Sequence, residues 1–444
     1  MIFDTLIHNA TIVTVDSDFT IIPHGLVAIA DGRINRVEPV PTAELPAARE
    51  IIDAMGALIL PGLVNTHTHL PMTLFRGLAD DLPLHTWLND HIFPAEGRFI
   101  NPETVKYGTL LGCMEMLLSG TTTCCDGYFL EDHVAGAVLE SGMRAVLGQG
   151  IIDFPAPGVP DPAKNITAAI DFIDKWKDRT PRITPSLFCH APYTCSPETL
   201  KKASRTALNK EVLFQIHVAE TKAEKNQCLE KHGITPIQYI DRLGILTATT
   251  LLAHCIWVDA ADIETIAGCN AAVAHNPESN MKLASGIAPV VSFIECGIKT
   301  GLGTDGCASN NDLDMFREMG SAARLQKVHN LDPVAMNART VLEMATIGGA
   351  RAIGLADQIG SIEPGKQADL IIIDLSRPHL TPMYHPVSHL VYAVKGSDVR
   401  DVFVAGEPLV RNHSLVKLDV EKTMQKVSSI AETIYEDDLK RKHS

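Results

Sequence analysis

The residues with the clearest capacity for chemistry are His67 and His69, at the end of the run Leu60-Pro61-Gly62-Leu63-Val64-Asn65-Thr66-His67-Thr68-His69. The apolar residues before them, Ala57 to Leu60 and then Leu63 and Val64, read as a buried strand that stops at the histidines. Alternation along a strand puts residues i and i+2 on one face, so both imidazoles can point at one spot and offer a metal two nitrogens. A helix would need its ligand histidines three or four residues apart. Further groups that bind metals or move protons recur down the chain. His190, His217, His254 and Asp305 each fall at the end of a short apolar run.

His67, His69, His217 and Asp305 form the strongest constellation. Three imidazoles and one carboxylate suit a zinc-like ion or ferrous iron, and offer too few hard oxygen donors for magnesium or calcium. Catalytic zinc usually keeps three protein ligands, so four plus a water would be five-coordinate. An ion held there lowers the pKa of its water toward neutrality and provides a nucleophile for an electrophilic carbon. Glu220, in His217-Val218-Ala219-Glu220, lies just past the same strand end and can deliver and accept protons. Asp305, in Gly303-Thr304-Asp305-Gly306, can touch the metal and also take a proton from water. His254, in Leu251-Leu252-Ala253-His254-Cys255, can hydrogen-bond the nucleophile or the departing group.

Positioning these groups requires a scaffold that gathers strand ends. From Gly62 to about residue 305, short apolar runs alternate with amphipathic helices, the pattern of β/α units around a parallel sheet. Eight strands are expected to end near His67, Asp126, Gly150, His190, His217, His254, His275 and Asp305. Eight closes a (β/α)8 barrel of the TIM type, in which the loops after the strands build the active site. Among the helices between them, Ser196-Pro197-Glu198 reads as a start, Lys231-His232-Gly233 as an end, and Asp332-Pro333 as the opening of a helix that runs toward Gly348-Gly349. Residues 1–58 and 358–444 are β-rich and too small to bury a core alone, so they are expected to pair into one small β-sandwich beside a 59–357 barrel. The tail from Asp419 to Lys442 reads as a charged, exposed helix.

A formal net charge of −15 with no basic run disfavours nucleic acid or an anionic membrane as partner. No apolar run approaches spanning length. Ten scattered cysteines without a C-x-x-C pair read as reduced thiols, and the N-terminus lacks the pattern of a secretory signal. A cytoplasmic enzyme with a small-molecule substrate is the expectation, with self-association left open.

His67-Thr68-His69, His217 with Glu220, His254 and Asp305, together with Pro61-Gly62-Leu63-Val64-Asn65, resemble the amidohydrolase superfamily over nearly the whole chain. His275-Asn276-Pro277-Glu278-Ser279-Asn280-Met281-Lys282-Leu283 and Gly301-Leu302-Gly303-Thr304-Asp305-Gly306 resemble the branch that deaminates aromatic heterocycles. Phe93-Pro94-Ala95-Glu96 and His190-Ala191-Pro192-Tyr193 are similar to those of enzymes that deaminate 5'-methylthioadenosine and S-adenosylhomocysteine. The resemblance implies that Glu96 binds ribose hydroxyls and that His190 lies in the substrate pocket. Trp87 is a weaker candidate for packing on the base or the 5' group. Two-metal relatives carry a modified lysine where this chain has His190, so one divalent metal is implied, Zn2+ or Fe2+. Some members hold the sugar side of the substrate with arginines from the loop before the fourth strand, and Asp153 to Pro160 contains none. The activity implied is conversion of adenine in a nucleoside to hypoxanthine with release of ammonia. Deamination of guanine or another base, or removal of chloride from a triazine, would use nearly the same groups and stays open.

Overall fold

Eight parallel strands, hydrogen-bonded in sequence order, form one of two sheets in the computed structural model, which describes residues 2–41 and 44–442. Met1, Thr42, Ala43, His443 and Ser444, included in the expected terminal segments, lie outside the described residues. The second sheet begins with β1 (Phe3–Val13), β2 (Ile21–Ala30), β3 (Arg33–Pro39), β4 (Ala48–Asp53) and β5 (Leu58–Pro61). The barrel strands are β6 (Leu63–Thr68), β7 (Thr121–Tyr128), β8 (Arg144–Ile151), β9 (Ile183–Cys189), β10 (Phe214–Val218), β11 (Thr250–His254), β12 (Ala272–His275) and β13 (Lys299–Leu302). The second sheet is completed by β14 (Leu370–Ile373), β15 (Val399–Val404), β16 (Glu407–Arg411) and β17 (Ser414–Leu415).

The apolar run before His67 is divided between the two sheets. Its first part is β5 and its second is β6, with Gly62 at the step. A side chain at Gly62 would meet Thr122 of β7 at 2.1 Å, so only glycine lets the chain pass that close. The two ends of the chain join where β5 pairs antiparallel with β14, Leu60 opposite Ile371 and Ile59 opposite Ile372. Alternation then ties the sheet to the barrel. Leu58, Leu60, Ile371 and Ile373 enter the barrel-side core, while Ile59, Leu370 and Ile372 enter the core of the outer sheet with Ile7, Val27 and Phe403. A fully buried ion pair adds to the join: Arg144 Nε donates to Asp369 Oδ2 at 2.8 Å. The β15–β16 hairpin turns at Ala405 and Gly406, both at positive φ, as a two-residue turn demands.

Between the strands, Ser196 caps helix Pro197–Lys210 by accepting from Thr199 N–H at 3.2 Å, and Gly233 ends helix Lys222–His232 at φ 71°. Two readings need correction. Asp332-Pro333 does not open a helix. Asp332 accepts from Val334 N–H at 2.9 Å, and Lys327 Nζ donates to the carbonyls of Pro333 and Ala335, so the segment is a turn. The helix starts at Ala338, capped by Asn337, and Gly348-Gly349 falls inside a further short helix, Ile347–Ala352. The tail helix, Val420–Lys442, is not simply exposed. It buries Val427 and Ile434, and pairs Lys426 with Glu103 at 2.7 Å and Asp437 with Arg98. Among the described residues, no helix is long and apolar enough to cross a membrane.

Candidate active site

The C-terminal ends of the barrel strands bring His67, His69, His217 and Asp305 together, with one ligand atom from each lying within 4.8 Å of all the others. His67 lies on β6 and His69 immediately after it, and His217 is on β10. Asp305 lies three residues beyond β13 in a left-handed backbone conformation, φ 62°. The barrel ladder runs unbroken from β6 to β13, and the seam between those two is closed differently. Asp305 N–H donates to the His67 carbonyl at 2.9 Å, and Thr66 Oγ1 donates to the Leu302 carbonyl at 2.8 Å.

Hydrogen bonds behind the rings fix which nitrogen faces inward. His69 Nδ1–H donates to Gly127 O at 2.6 Å, and His217 Nδ1–H donates to His190 O at 2.9 Å. Each Nε2 therefore presents a lone pair to the centre, the arrangement of a metal-ligating histidine. His67 Nε2 and His217 Nε2 are 3.1 Å apart, and Asp305 Oδ1 is 3.4 Å and 3.3 Å from the Nε2 atoms of His67 and His69. Burial pushes His67 down to about 4 and His217 well below the usual imidazole range. Lone pairs that close, on rings that resist protonation, fit a cation between them. Burial works to raise Asp305, but the facing His67 and His69 rings outweigh it and hold the carboxyl well below its ordinary range. Asp305 Oδ2 meets the hydroxyls of Ser279 and Ser309 at 2.7 and 2.8 Å, which leaves Oδ1 turned toward the imidazoles. The donor set and its orientation suit one divalent metal ion.

Glu220 and His254 stand beside the cluster. His254 Nε2 is 4.0 Å from Glu220 Oε2, and its Nδ1 meets Asn280 Oδ1 at 2.9 Å. With Nδ1–H donated to Asn280, Nε2 is the accepting face. His254 takes a left-handed backbone conformation, φ 74°, as does Asp305. Burial raises the Glu220 carboxyl above its ordinary value. Its backbone is held by Glu224, whose two carboxylate oxygens accept the N–H groups of Ala219 and Glu220 at 2.9 and 2.8 Å.

All nine residues singled out in the sequence meet at one pocket. His69, Trp87, Glu96, His190, His217, Glu220, His254 and Asp305 line it, and His67 lies in ring contact with His69 and His217. Its cover is the segment after β6, where Trp87–Ile92 and Phe93–Phe99 continue as one helical stretch. Glu96 is buried and accepts from Tyr128 Oη at 2.5 Å; burial pushes its carboxyl up to about 7 against that bond. His190 Nδ1 meets Thr194 Oγ1 at 2.9 Å, and Thr194 itself donates to Ala191 O. The His190 Nδ1 is thus the donor, and its Nε2 is free to accept. Trp87 is 6% exposed and belongs to the core as well as to the pocket wall. His275 ends β12 as expected but stays outside the cluster, its ring nitrogens without a protein partner.

Residue type alone did not point to Tyr128, Ser279, Ser309, Asn280 or Glu224. Asp126 and Glu131 belong with them, both fully buried behind His69. Asp126 accepts from Leu70 N–H, and Glu131 accepts from Tyr128 N–H at 3.0 Å. Burial raises Asp126 to about 6; burial and the facing Asp126 charge raise Glu131 well above the usual carboxylate range. The one available sequence signal was position, since Asp126 and Tyr128 sit at the end of a barrel strand where function concentrates.

The comparisons agree with this geometry. The chain is 46% identical over 433 residues to the 5-methylthioadenosine/S-adenosylhomocysteine deaminase of Syntrophobacter fumaroxidans, covering 97% of this chain and 98% of that one. It is 46% identical over 411 residues to the 5'-deoxyadenosine deaminase of Methanothermobacter thermautotrophicus, covering 92% and 95%. The crystal structure of an adenosine deaminase from Xanthomonas campestris with bound zinc superposes with a TM-score of 0.95 at 38% identity, covering 97% and 98%. The pattern of the amidohydrolase family matches residues 58–409, and the chain belongs to that family.

Proposed function

We propose that this protein is a metal-dependent hydrolytic deaminase of adenine nucleosides, acting on S-adenosylhomocysteine, 5'-methylthioadenosine or related adenosines to give hypoxanthine nucleosides and ammonia. The observation that carries the reading is a single pocket containing the four-donor cluster, the proton-transfer groups Glu220 and His254, and the buried carboxylate of Glu96. The last of these can accept the hydroxyls of a sugar. The activities named for the relatives at 46% identity support a nucleoside substrate. Zinc is the proposed ion, supported by its presence in the adenosine deaminase structure. The division into a 59–357 barrel and a composite unit of residues 1–58 and 358–444 is proposed with it, the first boundary moved to Gly62 because β5 (Leu58–Pro61) pairs with β14 in the second sheet.

The chemistry asks the chain for four services. A divalent ion held by His67, His69, His217 and Asp305 makes water beside it more acidic. Glu220, its carboxyl raised by burial, protonates N1 of the ring and so makes the amino-bearing carbon more electrophilic. Asp305 takes the proton that water loses as its oxygen bonds to that carbon and passes it to the amino group, which leaves as ammonia while the remaining hydroxyl proton returns to Glu220 and the carbon becomes a carbonyl. His254 accepts a hydrogen bond from the attacking water through Nε2, its ring fixed by Asn280. Glu96 accepts the ribose hydroxyls, with Tyr128 holding the carboxylate in place, which orients the base for reaction. His190 offers Nε2 to a donor on the substrate, and Trp87 packs against its apolar parts.

Mass spectrometry and ammonia detection with S-adenosylhomocysteine, 5'-methylthioadenosine, adenosine, guanine and a chlorotriazine test the reading. Hypoxanthine-bearing products from the adenosines are expected. Turnover of guanine or the triazine with none of the adenosines would reject it.

A further inference from the structure

Apart from the ion that His67, His69, His217 and Asp305 would hold, the formal charge of the side chains lining the pocket is one-sided. Among the described residues that line it there is no lysine or arginine, while Glu96, Glu220 and Asp305 all do. The stretch that carries Glu96 contributes Leu84, Trp87, Leu88, Ile92 and Phe93 to the same wall. Phe93 and Ile92 precede Glu96 by three and four residues, so on a helix they share its face. A sugar gripped by Glu96 therefore lies against these side chains. Farther out, the Phe93 ring meets Phe154 at 5.5 Å and the His190 ring meets Tyr193 at 6.2 Å, giving the mouth an aromatic rim. The loop bearing Phe154 brings a carboxylate, Asp153, already bound to Ser196 N–H and Thr199 Oγ1, and no cation.

Resting on the deaminase reading, we propose that this wall selects adenosines with a short, apolar, uncharged 5' substituent and discriminates against the zwitterionic homocysteine tail. A thiomethyl or methyl group loses water gladly against Leu88, Ile92 and Phe93. An α-carboxylate entering the same space gives up its hydration beside Glu96 with no cation to replace it. A second cleft, which shares Tyr193 with the pocket, is lined by Lys231 together with Glu224.

The test compares kcat/KM of the metal-loaded enzyme for 5'-methylthioadenosine, 5'-deoxyadenosine and S-adenosylhomocysteine. A matched pair, 5'-(3-hydroxypropylthio)adenosine and 5'-(2-carboxyethylthio)adenosine, varies charge at nearly constant size. The uncharged member of each comparison is expected to lead by about tenfold or more. Leu88→Arg is expected to narrow that gap by improving the carboxylate-bearing substrates; the matched pair reads the same preference should that variant fail to fold. Equal or better use of S-adenosylhomocysteine, or of the carboxylate member of the pair, would overturn the proposal and leave the deaminase reading standing. If Lys231→Ala then selectively abolished that use, the tail would be assigned to the second cleft. Deamination of none of these compounds would overturn both.

Discussion

His67 and Asp305 are joined twice: the Asp305 N–H donates to the His67 carbonyl at 2.9 Å, and their side chains meet at 3.4 Å between Nε2 and Oδ1. The first bond lies at the seam between the first and last barrel strands, so closing the barrel also sets the spacing of ligands from opposite ends of its sequence. A barrel that failed to close would lose the cluster with it. The fixed carboxylate then depends on what holds its other oxygen, and two hydroxyls do that.

Ser279→Ala and Ser309→Ala remove the hydroxyls from Asp305 Oδ2 without touching a ligand atom. Outer partners of ligating groups typically matter by about 10- to 100-fold in metal affinity or activity. Each variant is expected to fold normally and to bind zinc more weakly within that range, as measured by competition with a chelator. Unchanged affinity in the double variant would mean that the backbone alone positions Asp305. His217→Ala is the harsher comparison and should lower metal content outright.

Glu220→Gln keeps the shape of the side chain and removes its proton. Glu220 lies outside the four-donor cluster, so metal content should be unaffected. Turnover of a nucleoside should fall by roughly 100- to 10,000-fold, the usual contribution of a positioned acid or base. Near-normal kcat in a fully loaded variant would remove Glu220 from the reaction.

The parts of this site that sequence made legible are those whose residue types are rare and whose spacing has a period. His67 and His69 two apart, and His217, His254 and Asp305 each after an apolar run, announce a metal and a barrel together because few other arrangements explain them. Ser279, Ser309 and Asn280 carry no such mark. Serines and asparagines are common in loops, and only the fold shows that these three face Asp305 and His254. The Asp332-Pro333 misreading has a similar source: a good start signal was outcompeted by Asn337, which caps the helix six residues into that segment, while Lys327 satisfied the carbonyls between. Gly62 is the subtler case, since the reason for the break between β5 and β6 is Thr122, a residue distant in sequence.

Glu96 gives the site a pH dependence of definite sign. Burial lifts its carboxyl from 4.5 to about 7, so the folded chain holds that proton more tightly than the unfolded one. Its contribution to stability is therefore in place below about 4.5 and is lost as pH rises through about 7. Binding runs the other way, because ribose hydroxyls are best accepted by the carboxylate. KM for a nucleoside is expected to fall as pH is raised from about 6 to about 8, and the profile should flatten in Glu96→Gln. The same variant should lose far more activity on nucleosides than on free adenine. Parallel profiles in wild type and variant would mean that Glu96 does not touch the sugar.

Arg144 and Asp369 put the second sheet under the same kind of test. The pair is almost wholly buried, bidentate at 2.8 and 3.1 Å, and Asp369 also accepts Ala405 N–H at 2.6 Å while its carbonyl takes Gly62 N–H at 3.0 Å. One carboxylate thus gathers β8, the β15–β16 turn and, through its backbone, the step between β5 and β6. Arg144→Ala leaves Asp369 charged, buried and short of a partner, which should cost about 3–5 kcal/mol in denaturant unfolding. Replacing both partners with apolar residues of similar size, Arg144→Met with Asp369→Leu, removes the stranded charge and should recover much of that loss on the Arg144 side. Recovery should stay incomplete, because Ala405 N–H then has no acceptor in the interior. Equal destabilisation of the single and double variants would mean that packing around Arg144, rather than its charge, holds the barrel to the outer sheet.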